Sequence, residues 1–129
     1  MNDRPVIVVA EDDEDILRLV ATRLDRDGYE VIQTRDGAQA LAAVRERRPA
    51  LALLDVSMPA LDGLEVLARI RGDEQLASTR VVLLPAMAQE HDVRRAFEAG
   101  ADGYIRKPFG LAELSEKVAE LVGDDQVGS

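Results

Sequence analysis

Three short unbroken apolar runs, Val6-Ile7-Val8-Val9, Leu51-Ala52-Leu53-Leu54 and Val81-Val82-Leu83-Leu84, constrain the fold more than any other feature. A strand with one wet face alternates apolar and polar residues. A strand covered on both faces has no polar side to show, so such runs belong in the middle of a parallel sheet. Two weaker runs, Tyr29-Glu30-Val31-Ile32 and Gly103-Tyr104-Ile105, are shorter or more polar and read as edge strands. Between the runs lie helical periods: Ile16, Val20, Leu24; Ala38, Leu41, Val44; Leu64, Leu67, Ile70; Val93, Ala96, Phe97; and Leu111, Leu114, Val118, Leu121. Gly28 and Gly100 mark helix stops, and Asp36-Gly37 a start. Five β-α units joined by right-handed crossovers predict an α/β fold, an open doubly wound sheet with helices on both faces.

At 129 residues the chain has the length of one domain with one core. The segmentation places that domain at residues 1–122 and leaves 123–129 as a short polar tail. The absence of cysteine excludes a disulfide framework, a thiolate zinc site and thiol redox chemistry, and it fits a reducing cytoplasm. The polar N-terminus leads into an apolar run too short for a signal peptide or a membrane span, so a soluble cytoplasmic chain is expected. With 25 acids against 16 bases the net charge of −9 repels a phosphate backbone. A protein partner is expected rather than nucleic acid.

In doubly wound sheets ligands bind at the carboxyl ends of the strands, where the strand order reverses. The residues that matter therefore follow the apolar runs: Glu11, Asp12 and Asp13; Asp55; Pro85; and Lys107 with Pro108. Clustered carboxylates resist ionising together unless a cation joins them. An all-oxygen set without Cys or His suits a hard ion, and two or three carboxylates with a carbonyl and waters suit Mg²⁺. Asp13, Glu14 and Asp15 read as the acidic start of a helix. His91, among Gln89, Glu90 and Asp92, reads as an exposed residue with no catalytic partner. No glycine motif supports nucleotide binding.

The segments AEDDEDI, LLDVSMPALDG and GYIRKPF, at their mutual spacings, resemble the receiver domain of two-component response regulators over about Val6 to Val122. The resemblance implies a flavodoxin-like (βα)5 fold with strand order 2-1-3-4-5, which puts the two weakest runs at the edges. It implies that Asp55 accepts a phosphoryl group, that Glu11 and Asp12 form an acidic pair, and that Asp12, Asp55 and the Ser57 carbonyl hold Mg²⁺. Lys107 would contact the phosphoryl group, and Lys107-Pro108 resembles the family's cis-peptide turn. The implied partners are a sensor histidine kinase or histidine phosphotransfer protein and a downstream target. That target would dock on the surface of the fourth helix, fifth strand and fifth helix.

No effector domain follows Val122, so a stand-alone phosphorelay switch is expected, and not a turnover enzyme. An aspartyl phosphohydrolase of the haloacid dehalogenase type would resemble Asp-x-Asp at the nucleophile, whereas Asp55 is followed by Val56-Ser57. One departure from the family pattern stands out. Where the family carries Ser or Thr at the end of the fourth strand, Pro85 stands here, followed by Ala86, while Tyr104 fits the aromatic switch position. Proline offers neither hydroxyl nor N–H. The alternative reading is thus an atypical receiver-like interaction module whose switching is weakened.

Overall fold

The computed structural model describes residues 4–86 and 90–127. Its elements run β1 (Val6–Ala10), α1 (Glu14–Arg26), β2 (Glu30–Thr34), α2 (Gly37–Arg47), β3 (Leu51–Asp55), α3 (Gly63–Arg71), β4 (Arg80–Leu84), α4 (Glu90–Glu98), β5 (Gly103–Tyr104) and α5 (Leu111–Val127). The strands form one parallel sheet in the order β2-β1-β3-β4-β5, as expected.

Successive side chains of the three central strands point to opposite faces, and both faces are covered. Val8, Ala10, Ala52, Leu54, Val81 and Leu83 pack with Ala40, Leu41 and Val44 of α2 and with Val66, Leu67 and Ile70 of α3. Ile7, Val9, Leu51, Leu53, Val82 and Leu84 pack with Leu17, Val20 and Leu24 of α1 and with Leu114, Val118 and Val122 of α5. All five residues of β3 are buried, the acid Asp55 included. An apolar strand that carries its terminal carboxylate below the surface holds a charge that burial destabilises unless a partner meets it.

Local signals explain the helix ends. Asp13, Asp36 and Asp62 cap α1, α2 and α3, each accepting from backbone N–H groups of the first turn, and Asp62 with Glu65 completes a capping box. Gly28 (φ 105°) and Gly100 (φ 104°) take the left-handed region just beyond α1 and α4, as their positions in the sequence predict.

The structure departs from expectation in several places, among them Phe97 of α4, expected in the apolar stripe but 45% exposed. On α1 Leu17 is buried where Ile16 was expected, and on α2 Ala40 is buried where Ala38 was. Residues one or two positions apart differ by at least 100° around a helix, and a period read from three apolar residues does not resolve that phase. Strand β2 runs on through Gln33 and Thr34, whose partners are Val9 and Ala10, because backbone pairing is blind to side-chain polarity. Helix α5 continues to Val127, so the polar segment expected as a tail after Val122 is in large part a last stretch of helix.

Arg71, at the end of α3, donates to the carbonyls of Gly100 (2.9 Å), Thr79 (2.6 Å) and Ala77 (3.1 Å) and pairs with Asp102 (2.8 Å). Asp102 in turn accepts from Val81 N–H (2.8 Å). One planar guanidinium thereby fixes the approach to both β4 and β5 from below.

Candidate functional site

The carboxyl ends of β1, β3 and β5 converge on one group of charges. Glu11 leaves β1 with its carboxylate fully buried, and its Oε2 accepts from Asp13 N–H (3.1 Å). Asp55, at the end of β3, is 4% exposed. Lys107, three residues beyond Tyr104 of β5, reaches between them: its ammonium lies 2.5 Å from Glu11 Oε1 and 3.2 Å from Asp55 Oδ1. Carboxylate oxygens of Glu11, Asp12 and Asp55 all lie within 4.8 Å of one another, with Asp12 on the exposed side.

Electrostatics make this a strained arrangement. Burial, then the neighbouring Glu11, push the Asp55 carboxyl from its ordinary value of 3.8 up to about 7, and Lys107 offsets only part of that. Burial alone would lower the Lys107 ammonium, but its contacts with Glu11 and Asp55 outweigh burial and hold it above its usual range. Both effects express one shortage: two buried carboxylates share a single cation. The all-oxygen donor set, closely spaced and short of positive charge, fits a hard divalent ion such as Mg²⁺.

The loop between β3 and α3 forms the outer wall. Val56, Ser57, Met58, Pro59, Asp62 and Leu64 line a cleft of about 550 Å³ that opens onto Asp12. Gly63 N–H donates to Val56 O (2.9 Å), Leu61 N–H to Pro59 O (2.9 Å), and Ala60 takes φ 70° at the bend. Gly63 is required sterically, because a Cβ there would stand 2.4 Å from the main-chain oxygen of Asp55. At Gly37 a Cβ would stand 1.9 Å from Leu61 O, so the start of α2 also presses on this loop.

Each expected site residue can now be placed. Glu11, Asp12, Asp55 and Lys107 come together, and Ser57 lies on the cleft wall beside Asp12. The Lys107–Pro108 peptide bond is cis, as the resemblance implies. Pro85 is buried, and its carbonyl accepts from Lys107 N–H (2.8 Å); Ala86 is exposed. Tyr104 is half-buried and meets Phe97 of α4 edge to face, with ring centroids 5.7 Å apart. The side chain of His91 lies outside the described residues. Sequence reasoning grouped Glu11 with the metal ligands and missed it as the nearest partner of Lys107. It also missed the close approach of Gly63 to the strand, although a glycine just after a capping aspartate was the available signal.

A parallel sheet that delivers buried carboxylates and a lysine to one carboxyl edge defines a doubly wound α/β domain with a charged site whose oxygen donors fit a hard cation. The response regulator receiver domain model matches residues 7–119, and the chain belongs to that family. It is 34% identical over 118 residues to the polar-differentiation response regulator DivK of Brucella anthropi, covering 92% of this chain and 96% of that protein. It is 37% identical over 118 residues to the DNA-binding dual master transcriptional regulator RpaA of Synechocystis, covering 92% of this chain but only 49% of RpaA. Among solved structures, a response regulator from Chloroflexus aurantiacus superposes with a TM-score of 0.88 at 26% identity, covering 94% of this chain and 99% of its own. The chemotaxis response regulator CheY4 of Vibrio cholerae does so with a TM-score of 0.83 at 26% identity, covering 92% and 98%. Among the described residues no helix is long and apolar enough to cross a membrane.

Proposed function

We propose that the chain is a phosphorylation-controlled signalling switch in which Asp55 takes a phosphoryl group from a phosphohistidine of a sensor kinase or phosphotransfer protein. The observation that carries this reading is the buried Asp55 carboxylate, 3.2 Å from the Lys107 ammonium and grouped with Glu11 and Asp12. An Asp55 Oδ attacks phosphorus, the P–O bond forms as the P–N bond breaks, and the imidazole leaves with the electron pair. Lys107 sits where it can meet the negative oxygens of the group in transfer. Mg²⁺ held by Asp12, Asp55 and the Ser57 carbonyl, with Glu11 behind, would supply the further positive charge that these oxygens need. The chain then acts as acceptor and signal in the cytoplasm, by protein contact, and does not turn over external substrates. Incubation with a radiolabelled histidine phosphotransfer protein tests this: label is expected to pass to the chain in an alkali-labile form and to stop with chelator. Failure of every histidine donor, together with failure of a small phosphodonor, would overturn the reading.

Pro85 favours a second, finer reading in which the phosphorylated state is poorly relayed to Tyr104. The residue is buried and its carbonyl is already bonded to Lys107 N–H, and its ring offers no donor to a phosphoryl oxygen. A hydrogen bond to a charged group is worth about 1.5 kcal/mol or more, so restoring a hydroxyl shifts the switch equilibrium roughly tenfold. Pro85→Thr is expected to strengthen the response of the Tyr104 ring to a phosphoryl mimic, followed by NMR. Equal responses in wild type and variant would show that the hydroxyl is dispensable here.

A further inference from the structure

Arg35 leaves the carboxyl end of β2 directly beside the acidic cluster. The residue before it, Thr34, pairs with Ala10, and the Thr34 carbonyl accepts from Glu11 N–H (3.1 Å). The main chain of Arg35 is held in place, since its own N–H donates to Gln39 Oε1 (3.1 Å). The same short loop presses on the outer wall of the site, where Gly37 N–H donates to Pro59 O (3.4 Å). Asp12 and Pro59 line one cleft, so Arg35 sits next to both of the loops that form its mouth. Its guanidinium turns toward the first of them and pairs with Glu14 (2.6 Å), two residues beyond Asp12. The two side chains are 63% and 59% exposed. An exposed ion pair holds its members weakly, so this guanidinium can leave Glu14 for an anion of higher charge.

The acceptor site lacks positive charge where a donor would enter. Its deep cation, Lys107, is already shared by Glu11 and Asp55 and is only 20% exposed. Asp12, Asp13 and Glu14 stand exposed at the mouth, on a chain of net charge −9. A dianion approaching Asp55 therefore meets repulsion at the rim before it reaches Lys107. We propose that Arg35 is the rim cation that receives the phosphodonor, exchanging Glu14 for the donor's phosphate oxygens and making the site prefer donors of higher negative charge. This rests on Asp55 being the acceptor. A planar guanidinium meets phosphate through two parallel N–H donors, which an ammonium at the same position reproduces only as a point charge. Arg35 forms no bond to phosphorus, and it returns to Glu14 when the leaving group departs.

Two small phosphodonors separate the effect of charge from the chemistry of transfer: acetyl phosphate, a dianion at neutral pH, and phosphoramidate, whose protonated nitrogen leaves it a monoanion. Phosphorylation of the full chain with Mg²⁺ is timed by intact mass at low and high salt for wild type, Arg35→Gln, Arg35→Lys and Glu14→Gln, with folding checked by circular dichroism. Arg35→Gln is expected to lose about fivefold or more in second-order rate with acetyl phosphate and less than about twofold with phosphoramidate. Arg35→Lys should recover part of that loss, and high salt should narrow the gap between wild type and Arg35→Gln. Glu14→Gln, which frees the guanidinium, should be no slower than wild type with acetyl phosphate. A residue that only shaped the loop would slow both donors alike, so equal losses with the two donors overturn the proposal. An Arg35→Gln variant as fast as wild type with acetyl phosphate overturns it as well. A wild type that takes label from neither donor overturns the acceptor reading itself, so the two failures are distinguishable.

Discussion

Asp55→Asn is expected to make the protein more stable, by about 1–3 kcal/mol at pH 8 in chelator. The wild-type carboxyl titrates near 7 in the folded protein against 3.8 as its ordinary value, chiefly because it is buried and then because Glu11 is beside it. A group whose folded value is raised binds more protons in the native state than in the unfolded chain between those two pH values, so native stability falls as pH climbs from about 4 to about 7 and is level above. At about 1.36 kcal/mol per unit the whole shift corresponds to roughly 4 kcal/mol. The smaller figure is expected because Lys107 loses one of its two partners when Asp55 is neutralised. Urea unfolding at pH 5 and pH 8 reads the effect directly. The advantage of the variant should shrink at pH 5, and saturating Mg²⁺ should shrink it at pH 8 by stabilising wild type. A variant less stable than wild type at pH 8 in chelator would mean that the Asp55 carboxylate is not strained.

Gly63→Ala should cost about 3 kcal/mol of stability, the upper end of overpacking effects, and should depress phosphoryl acceptance along with it. The added methyl would meet the backbone oxygen of Asp55 at 2.4 Å and Val56 Cα at 3.1 Å. Relief requires moving either the end of β3, which carries the acceptor, or the start of α3, which Asp62 and Glu65 cap. Gly123→Ala is the matched control, because nothing lies within 4 Å of a Cβ there and the residue is in α5. Alanine at that position should be neutral or mildly stabilising. Equal, small effects at both positions would show that the loop yields freely and that Gly63 does not set the geometry of the site.

The central sheet was legible because burial on both faces leaves an unmistakable trace in Val6–Val9, Leu51–Leu54 and Val81–Leu84. Asp55 and Lys107 drew notice by their places past apolar runs, where a cap or surface charge is also common, and the roles assigned to them came from the family resemblance. The pairing of Lys107 with Glu11 was not, since a salt link between β1 and β5 depends on side-chain reach across the sheet edge. Arg71 hid for a similar reason. In sequence it is one more basic residue in the last turn of a helix, while its partners Thr79, Gly100 and Asp102 lie in two other segments. An apolar cleft beside α1 was equally hidden, because Leu19 falls outside the stripe of Ile16, Val20 and Leu24 and only the placement of Pro108 and Phe109 gives it a facing wall.

Intact-mass measurement after incubation with acetyl phosphate tests the acceptor reading most directly. Wild type with Mg²⁺ should gain the mass of one phosphoryl group, borohydride reduction should convert residue 55 to homoserine, and both signals should vanish in Asp55→Asn and in chelator. A phosphoryl adduct of equal yield in Asp55→Asn, or one that forms as well without divalent cation, would contradict it.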